Sequence, residues 1–576
     1  MRTEIVMQQD VPRTAAMMCK YFFSGLSSSA APPRNLLAAS ALALLTAFSL
    51  PAQAASNVGY MDQNGSWKTV ATATDVTNQT AALTEFGGNG WYVCSGPVTI
   101  NRSLPVDGAV NLILGNGCNL TVYATDDKAA INTTSANLTI YAQSLSGPGM
   151  GRLNAIASSG TYGGAGIGGD DATSSGTGAS GGIVTINGGH IMAIGRNAGA
   201  AIGGGGGNIG GGGGVVTINN GVVNATASCA AAIGGGAGNS NGGGGGTIAI
   251  HGGTVDATSS QGAGIGGGCG VNVLGGAGGT ITIGGGTVRA TSLGGGAGIG
   301  GGKSNDTGGW GGAITIGAGA VTATSSGAAG IGGGSGNTSG GAGGAIVIND
   351  GDITANGYGG AGIGGGASQN AGGTGDTIKI NGGTVHATSG NRGAAIGGGG
   401  ALGSTGQGGS GGATITIAGG AVTATASASN GAAGIGGGSG GGGGGNGGAL
   451  YFQGGTVSAT GGAYGVGIGA ADNCLSDPCV HIEVHGGDVT AIAGANNRAG
   501  LGGGSSAYIY TFGGALTARS NQQAMIGTWF PMSGGYTYWT NTANKATASA
   551  VAGISVPPNT DFDNSASYKF IRIQYR

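Results

Sequence analysis

The sequence predicts an all-β protein built as a parallel β-helix, or β-solenoid, of about 12 glycine-rich coils of about 33 residues with three short strands each. Glycine supplies 145 of 576 residues, yet 39% of residues are hydrophobic and only 7% are charged. This balance argues against helices, which glycine destabilises, and against a solvated disordered chain. A motif of nearly constant spacing indicates stacked repeating units. We expect a right-handed coil, because parallel crossover connections are overwhelmingly right-handed.

Three motifs define each coil. The first, Ala/Gly-Gly/Ala-Ile-Gly, supplies one apolar residue per coil: Ile167, Ile202, Ile233, Ile265, Ile299, Ile331, Ile363, Ile396, Ile435, Ile468, Leu501 and Ile526. The second and third, as in Thr280-Ile281-Thr282-Ile283 and Thr287-Val288-Arg289-Ala290-Thr291, alternate apolar and polar residues like half-buried strands. Parallel stacking aligns Ile281, Ile314, Ile346, Ile378 and Ile415 as an internal ladder. Insertions such as Gly436 to Gly448 are expected outside it as loops.

The N-terminal residues have the features of an export signal. Arg34 precedes an apolar stretch from Leu36 to Leu50, and small residues precede a cleavage site expected before Ala55. We therefore divide the chain into a signal peptide (1–54), an N-terminal extension or cap (55–86), irregular first coils (87–162), glycine-rich repeats (163–526) and an aromatic-rich C-terminal β cap (527–576). After signal removal no segment is long and apolar enough to predict a membrane span.

The cysteines fit an oxidising compartment. Cys474 and Cys479 bracket a short turn that a disulfide closes easily. Cys94 and Cys118 are 24 residues apart, a plausible offset of one coil. Cys229 and Cys269 have no evident partner in the sequence, and we expect both to be small buried side chains.

Several segments resemble glycine-rich β-helix repeat proteins exported by bacteria. They are Gly90-Trp91-Tyr92-Val93-Cys94-Ser95-Gly96, Asn111-Leu112-Ile113-Leu114, Leu138-Thr139-Ile140-Tyr141, the Gly-Ile-Gly-Gly array and Tyr568-Lys569-Phe570-Ile571-Arg572-Ile573. The likeness covers nearly all of the chain that follows the signal peptide. Members of that group are mostly uncharacterised, and many are presumed to be adhesive. The resemblance therefore implies architecture and a surface or secreted location more strongly than it implies an activity.

Aspartate pairs are the candidates for acid–base chemistry. β-Helix enzymes that act on polysaccharides place acidic or basic residues together on one outer face, and acid–base catalysis uses two carboxyl groups. Asp350 and Asp352 are separated by one glycine, whereas Asp170 and Asp171 are adjacent in a corner. Neither pair repeats on a neighbouring coil, and aspartates in turns commonly accept hydrogen bonds from the backbone. Catalysis by Asp350 and Asp352 is therefore the weaker interpretation.

His481, Glu483 and His485 form the densest polar cluster. Alternation along one strand directs the three side chains to the same outer face. Two imidazoles and a carboxylate are chemically a reasonable zinc set. Alternate residues on a strand are about 6–7 Å apart, however, so three in a row reach one ion only with strain. We expect an exposed polar strand face here, with zinc binding as the alternative and no cofactor predicted.

The outward residues of the second motif form the candidate binding column, which includes Thr282, Thr315, Thr416 and Tyr451. Regular threonines on a flat face can bind ordered surfaces such as ice. The column is interrupted by Val347, Lys379, Tyr451 and Glu483. Threonine is in any case a good strand former.

The sequence favours a non-enzymatic, exported repeat protein, adhesin-like or structural, that presents a long β face to glycans, matrix or other cells. The export signal, the capped solenoid and the lack of a convergent catalytic set support it. A carbohydrate-active β-helix enzyme, either a lyase or a hydrolase, is the alternative, and ice or mineral binding is the third hypothesis. A net charge of −2 argues against nucleic acid as a partner. Secretion or surface display is expected, with the periplasm as a further location.

Overall fold

The structure, a computed structural model, describes residues 54–76, 85–158, 162–172, 175–412, 414–427, 429, 431–472, 474, 478–496, 499–503, 507–531, 536–541 and 568–575. Within these residues the chain is all-β and forms the predicted parallel β-helix. The predicted signal peptide lies outside the described residues apart from Ala54. In the described part of the chain, no helix has the length and apolar character needed to cross a membrane.

Sheet I contains the second motif of each coil. Its strands are Ala54–Met61, Trp67–Asp75, Trp91–Cys94, Ala109–Leu114, Asn137–Ala142, Ile183–Ile186, Val215–Ile218, Thr247–Ile250, Thr280–Ile283, Ala313–Ile316, Ala345–Ile348, Thr377–Ile380, Thr414–Ile417, Gly448–Phe452, Val480–Val484, Ala507–Thr511 and Thr528–Pro531. From Trp67–Asp75 onward each strand pairs in parallel with the equivalent strand of the next coil. Every coil therefore presents the same strand positions to one outer face.

Sheet II contains the third motif. Its strands are Pro97–Ile100, Asn119–Tyr123, Arg152–Ile156, His190–Ile194, Val222–Ala227, Thr254–Ser259, Thr287–Ser292, Ala320–Ser325, Asp352–Gly357, Thr384–Ser389, Ala421–Thr425, Thr456–Thr460, Asp488–Ile492, Ala515–Arg519, Phe570–Tyr575 and Tyr536–Asn541. The last two pair antiparallel, with Phe570–Tyr575 between Ala515–Arg519 and Tyr536–Asn541. The parallel stack therefore ends at an antiparallel pair.

Sheet III contains the Ile-Gly motif in 14 very short strands. They are Leu104–Pro105, Ile131–Asn132, Ile167–Gly168, Ile202–Gly203, Ile233–Gly234, Ile265–Gly266, Ile299–Gly300, Ile331–Gly332, Ile363–Gly364, Ile396–Gly397, Ile435–Gly436, Ile468–Gly469, Ala499–Gly502 and Gln523–Ile526. Gly207–Ile209 and Gly238–Asn241 form a separate two-stranded sheet.

The core consists of apolar ladders inside the coils. The predicted ladder Ile281, Ile314, Ile346, Ile378 and Ile415 is in register and buried. The sheet III ladder is also in register through Leu501, but its last predicted member is wrong. Met525 pairs with Leu501 and is fully buried, while Ile526 pairs with Gly502 and is half-buried. The last coil still carries an Ile-Gly pair, Ile526-Gly527, but this pair is shifted by one residue relative to Leu501-Gly502.

The glycine-rich segments between sheets III and I form an ordered layer. Gly268 N–H donates to Gly243 O at 2.9 Å, and Gly243 N–H donates to Gly236 O at 2.8 Å. Hydrogen bonds between coils and hydrogen bonds within a coil alternate in this way along the array. The prediction that Gly436 to Gly448 is an outside loop is wrong for most of the segment, since only its tip, Gly441 and Gly442, is exposed. Without side chains the backbones approach closely enough to bond one another.

The N-terminal strands Ala54–Met61 and Trp67–Asp75 form an antiparallel hairpin. A small second core, Val58, Ala73, Val93 and Ile113, lies between this hairpin and the first strands of sheet I. Tyr60 packs beside it, with ring centroids 4.9 Å from Trp91 and 4.7 Å from Tyr141. The hairpin therefore covers the outer face of sheet I at this end.

The structure has disulfides between Cys94 and Cys118 and between Cys474 and Cys479, with Cα atoms 5.5 Å and 6.1 Å apart. Cys229 and Cys269 are free, half-buried and buried respectively. No partner for either is evident in the sequence, but the fold makes them neighbours, because Cys269 N–H donates to Cys229 O at 3.2 Å.

Candidate binding face

A cluster of aromatic, histidine and glutamate side chains lies on the outer face of sheet I in its last four coils. We call it the aromatic face; it consists of Tyr451, His481, Glu483, His485, Tyr508, Tyr510, Phe512 and Phe530. In the neighbouring strands Tyr451, Glu483, Tyr510 and Phe530 are partners in one register. The residues that precede them, Leu450, Ile482, Ile509 and Trp529, are buried in the core. Period-2 alternation therefore fixes the outward direction of the aromatic face.

The rings of this face pack against one another. Tyr510 and Phe530 are stacked, with centroids 4.8 Å apart and planes 14° apart. His485 stacks on Phe512 at 4.4 Å with an angle of 6°. Their half-buried or exposed positions leave ring surface open to solvent. Packing between neighbouring coils holds the rings in place without a loop to position them.

Glu483 is bonded by a histidine on each side. His481 Nε2 lies 2.7 Å from Glu483 Oε1, and His485 Nε2 lies 2.8 Å from Glu483 Oε2. Burial raises the pKa of Glu483, but the hydrogen bonds and charges of the two histidines outweigh burial, so its pKa falls below the usual value. Glu483 is therefore a carboxylate at neutral pH. With a side chain 22% exposed, it still has surface to offer a ligand.

The zinc interpretation of His481, Glu483 and His485 receives no support from this geometry. Both Nε2 atoms point at different oxygens of one carboxylate, so the three groups bond each other and do not converge on an empty point. Among the described residues, no group of three or more histidine, cysteine or acidic side chains is arranged to hold a metal ion.

The two aspartate pairs occupy different environments. Asp350 Oδ1 accepts the Gly351 N–H at 2.8 Å. Asp352 is exposed and is the first residue of its strand, where its register partners are Ala320 and Thr384. The structure therefore places no second acid beside Asp352 in its column.

Asp170 and Asp171 lie near other acids in a corner. Asp170 accepts the Ala129 N–H at 2.9 Å and the Asn132 amide at 2.6 Å, so it links its own coil to the preceding one. Burial, followed by the charges of Asp127 and Asp170, raises the pKa of Asp171 to about 6.

The threonine column does not form an uninterrupted flat surface. Thr282 and Thr315 are register partners, but Val347 and Lys379 separate them from Thr416, which pairs with Tyr451. The column thus leads directly into the aromatic face.

Sequence reasoning missed Tyr508, Tyr510, Phe512 and Phe530 as site residues. Their coils lack the recognisable Thr-Ile-Thr-Ile pattern, although the alternation Ala507-Tyr508-Ile509-Tyr510 was a usable signal. It also grouped Trp529 with the C-terminal cap, whereas this side chain is 1% exposed in the core and bonds Thr511.

Comparison with known proteins supports the architecture. The profile of the family described as a beta helix repeat matches six segments, at residues 184–206, 216–237, 248–269, 281–303, 346–367 and 378–400. The chain therefore contains β-helix repeats over these segments, and all six precede the aromatic face. Neither a curated protein nor a solved structure matches the chain.

Proposed function

We propose that this protein is an exported, non-enzymatic β-helix repeat protein that binds glycans through its aromatic face. One observation carries the proposal: aromatic rings from successive coils form a packed outer surface around an ionised carboxylate. The predicted export signal and the two disulfides favour a role outside the cytoplasm.

The chemistry of the aromatic face suits a sugar ring. A pyranose has an apolar face of C–H groups, and the electron-rich face of an aromatic ring attracts such groups. Tyr510 and Phe530 supply adjoining rings, and Tyr451 lies on the opposite side of Glu483 in the same column. The Glu483 carboxylate can accept hydrogen bonds from sugar hydroxyls through its remaining lone pairs. Few polar groups among apolar ones are typical of ligand sites.

The same geometry favours binding over glycoside hydrolysis. Hydrolysis commonly needs two carboxyl groups about 5–10 Å apart, one of them protonated to act as the acid. Glu483 is the one carboxylate of the aromatic face, and its lowered pKa keeps it ionised at neutral pH. A lone carboxylate held by two histidines is better suited to accept hydrogen bonds than to deliver a proton.

Native affinity electrophoresis tests this proposal. Protein purified after expression of the full chain is run through gels that contain bacterial, plant or animal polysaccharides. We expect retardation by at least one of them. For Tyr510→Ala combined with Phe530→Ala we expect the dissociation constant derived from the retardation to be about tenfold higher. Trp310→Ala is the matched control, because Trp310 is an exposed ring outside the aromatic face.

Two results would count against the proposal. Unchanged mobility in every gel would exclude glycan binding by this set of polysaccharides and leave a protein ligand or a structural role. Shortening of the polysaccharide in the protein's track would support the carbohydrate-active alternative.

A further inference from the structure

A groove of about 470 Å³ lies where sheet II turns toward sheet III, on a different face of the coil from the aromatic face. We call it the Tyr358 groove. Three successive coils contribute to it through residues 324–326, 356–358 and 388–390. The nine lining residues carry no charge.

Tyr358 is an exposed ring that lies over a glycine of the next coil. Tyr358 is 56% exposed, although it directly follows a strand of sheet II. A Cβ at Gly390, in the next coil, would lie only 2.7 Å from Cδ2 of Tyr358. The missing side chain at Gly390 therefore leaves the space that the tyrosine ring occupies.

Hydrogen bonds orient some polar groups of the groove and leave others able to bond a ligand. Thr388 Oγ1 donates to Asn356 Oδ1 at 2.7 Å, so the Asn356 amide nitrogen remains a donor. The Thr324 and Ser326 hydroxyls make no hydrogen bond to any residue that the structure describes. Two buried serines fix the walls instead: Ser325 donates to Gly296 O at 2.7 Å, and Ser389 donates to Gly393 O at 2.6 Å.

The groove belongs to a longer polar ladder. In sheet II one register column runs from Thr226 through Asn356 to Thr460, and seven of its eight members are threonine. Parallel strands repeat about every 4.8 Å, so a threonine hydroxyl or, at Asn356, an amide recurs at that interval along the axis. A ligand with regularly repeated hydroxyl groups would match this spacing best.

We propose that the Tyr358 groove binds an uncharged, linear polysaccharide that lies along the solenoid axis. Tyr358 stacks on a sugar ring, and Thr324, Ser326 and Asn356 bond its hydroxyls. An acidic or basic sugar is disfavoured, because the groove offers no opposite charge to replace its lost hydration. This second site uses no residue of the aromatic face.

The test uses gels that contain pullulan or mixed-linkage β-glucan, both linear and uncharged, or alginate, which is acidic. The starting protein is the full chain with Tyr510→Ala and Phe530→Ala, which removes two stacked rings of the aromatic face. We expect it to be retarded by at least one neutral polymer and not by alginate. Adding Tyr358→Ala is expected to weaken that retardation about tenfold, and Asn356→Ala to weaken it as well. Tyr464→Ala is the control, since Tyr464 is 51% exposed in the equivalent turn but outside the groove.

The outcomes separate the two sites. If the starting variant migrates unretarded in both neutral gels, or if Tyr358→Ala leaves its retardation unchanged, the groove proposal is overturned. Glycan binding by the wild type that is lost with Tyr510→Ala and Phe530→Ala would then still support the aromatic face. Conversely, retardation that depends on Tyr358 alone supports the groove and contradicts the aromatic face. Circular dichroism of each variant checks that the coil is intact.

Discussion

Gly332→Ala is expected to open the solenoid locally. Gly332 has φ of +134°, and a Cβ there would lie 2.0 Å from Gly364 O in the next coil. Holding alanine in this backbone conformation costs about 1–3 kcal/mol. Forcing a methyl group against a backbone atom in a packed interior costs about 1–3 kcal/mol more. The opening free energy of this coil should therefore fall by about 2–6 kcal/mol.

Gly244→Ala is the matched control. Gly244 lies in the same glycine-rich array, but its φ is not positive and the nearest atom to an added Cβ is Ala277 O at 3.8 Å. We expect the opening free energy to change by less than about 0.5 kcal/mol.

Hydrogen exchange measured by mass spectrometry on peptides around residue 332 distinguishes the variants. A loss of about 2 kcal/mol corresponds to roughly 30-fold faster exchange. Because each coil contacts only its neighbours, the effect should fade within a few coils. Equal exchange in Gly332→Ala and Gly244→Ala would refute the argument that close backbone approach requires glycine at residue 332.

Three further predictions concern ionisable groups. The lowered pKa of Glu483 makes its ionised form stabilising, so the stability difference between wild type and Glu483→Gln should shrink as the pH falls below 4.5, as urea unfolding can show. Burial raises the pKa of Asp171 to about 6, so its ionisation opposes folding; Asp171→Asn should stabilise the protein above pH 6 and have no such effect below 3.8. Burial raises the pKa of Cys269 to about 11, so iodoacetamide at mildly alkaline pH should modify Cys229 well before Cys269.

Each of these predictions has a clear contrary result. A Glu483→Gln difference that grows on acidification would mean that the protonated form is the stabilising one. Unchanged stability of Asp171→Asn above pH 6 would show that Asp171 is solvated. Equal alkylation rates of the two cysteines in the native protein, as expected only after denaturation, would contradict the burial of Cys269.

The strands could be predicted from the sequence because alternating apolar and polar side chains indicate which residues face inward and which face outward. Alternation in Thr280-Ile281-Thr282-Ile283 identified Ile281 as an inward residue, and the structure confirms the ladder. The glycine layer could not be predicted in the same way, because glycine has no side chain to distinguish inside from outside. Its order arises from hydrogen bonds between coils, such as that from Gly268 to Gly243.

The candidate site was predictable only in part. Alternation placed His481, Glu483 and His485 on one face, but the distances between them, which favour mutual hydrogen bonds, required coordinates. Tyr510 and Phe530 come together because two atypical coils continue the register of sheet I. The Tyr358 groove joins residues about one coil apart in sequence, and only the stacking makes Gly390 a neighbour of Tyr358.

Because sheet I is stacked in register, the number of coils between two residues gives their separation along the axis. Every added coil advances the axis by about 4.8 Å and recreates the same upper and lower surfaces, so a coil can be gained or lost without a new kind of interface. Three such steps separate the strand Ala345–Ile348, in the coil of Tyr358, from the strand of Tyr451. Insertion of whole coils between the Tyr358 groove and the aromatic face would therefore increase their separation along the axis in fixed increments of about 4.8 Å.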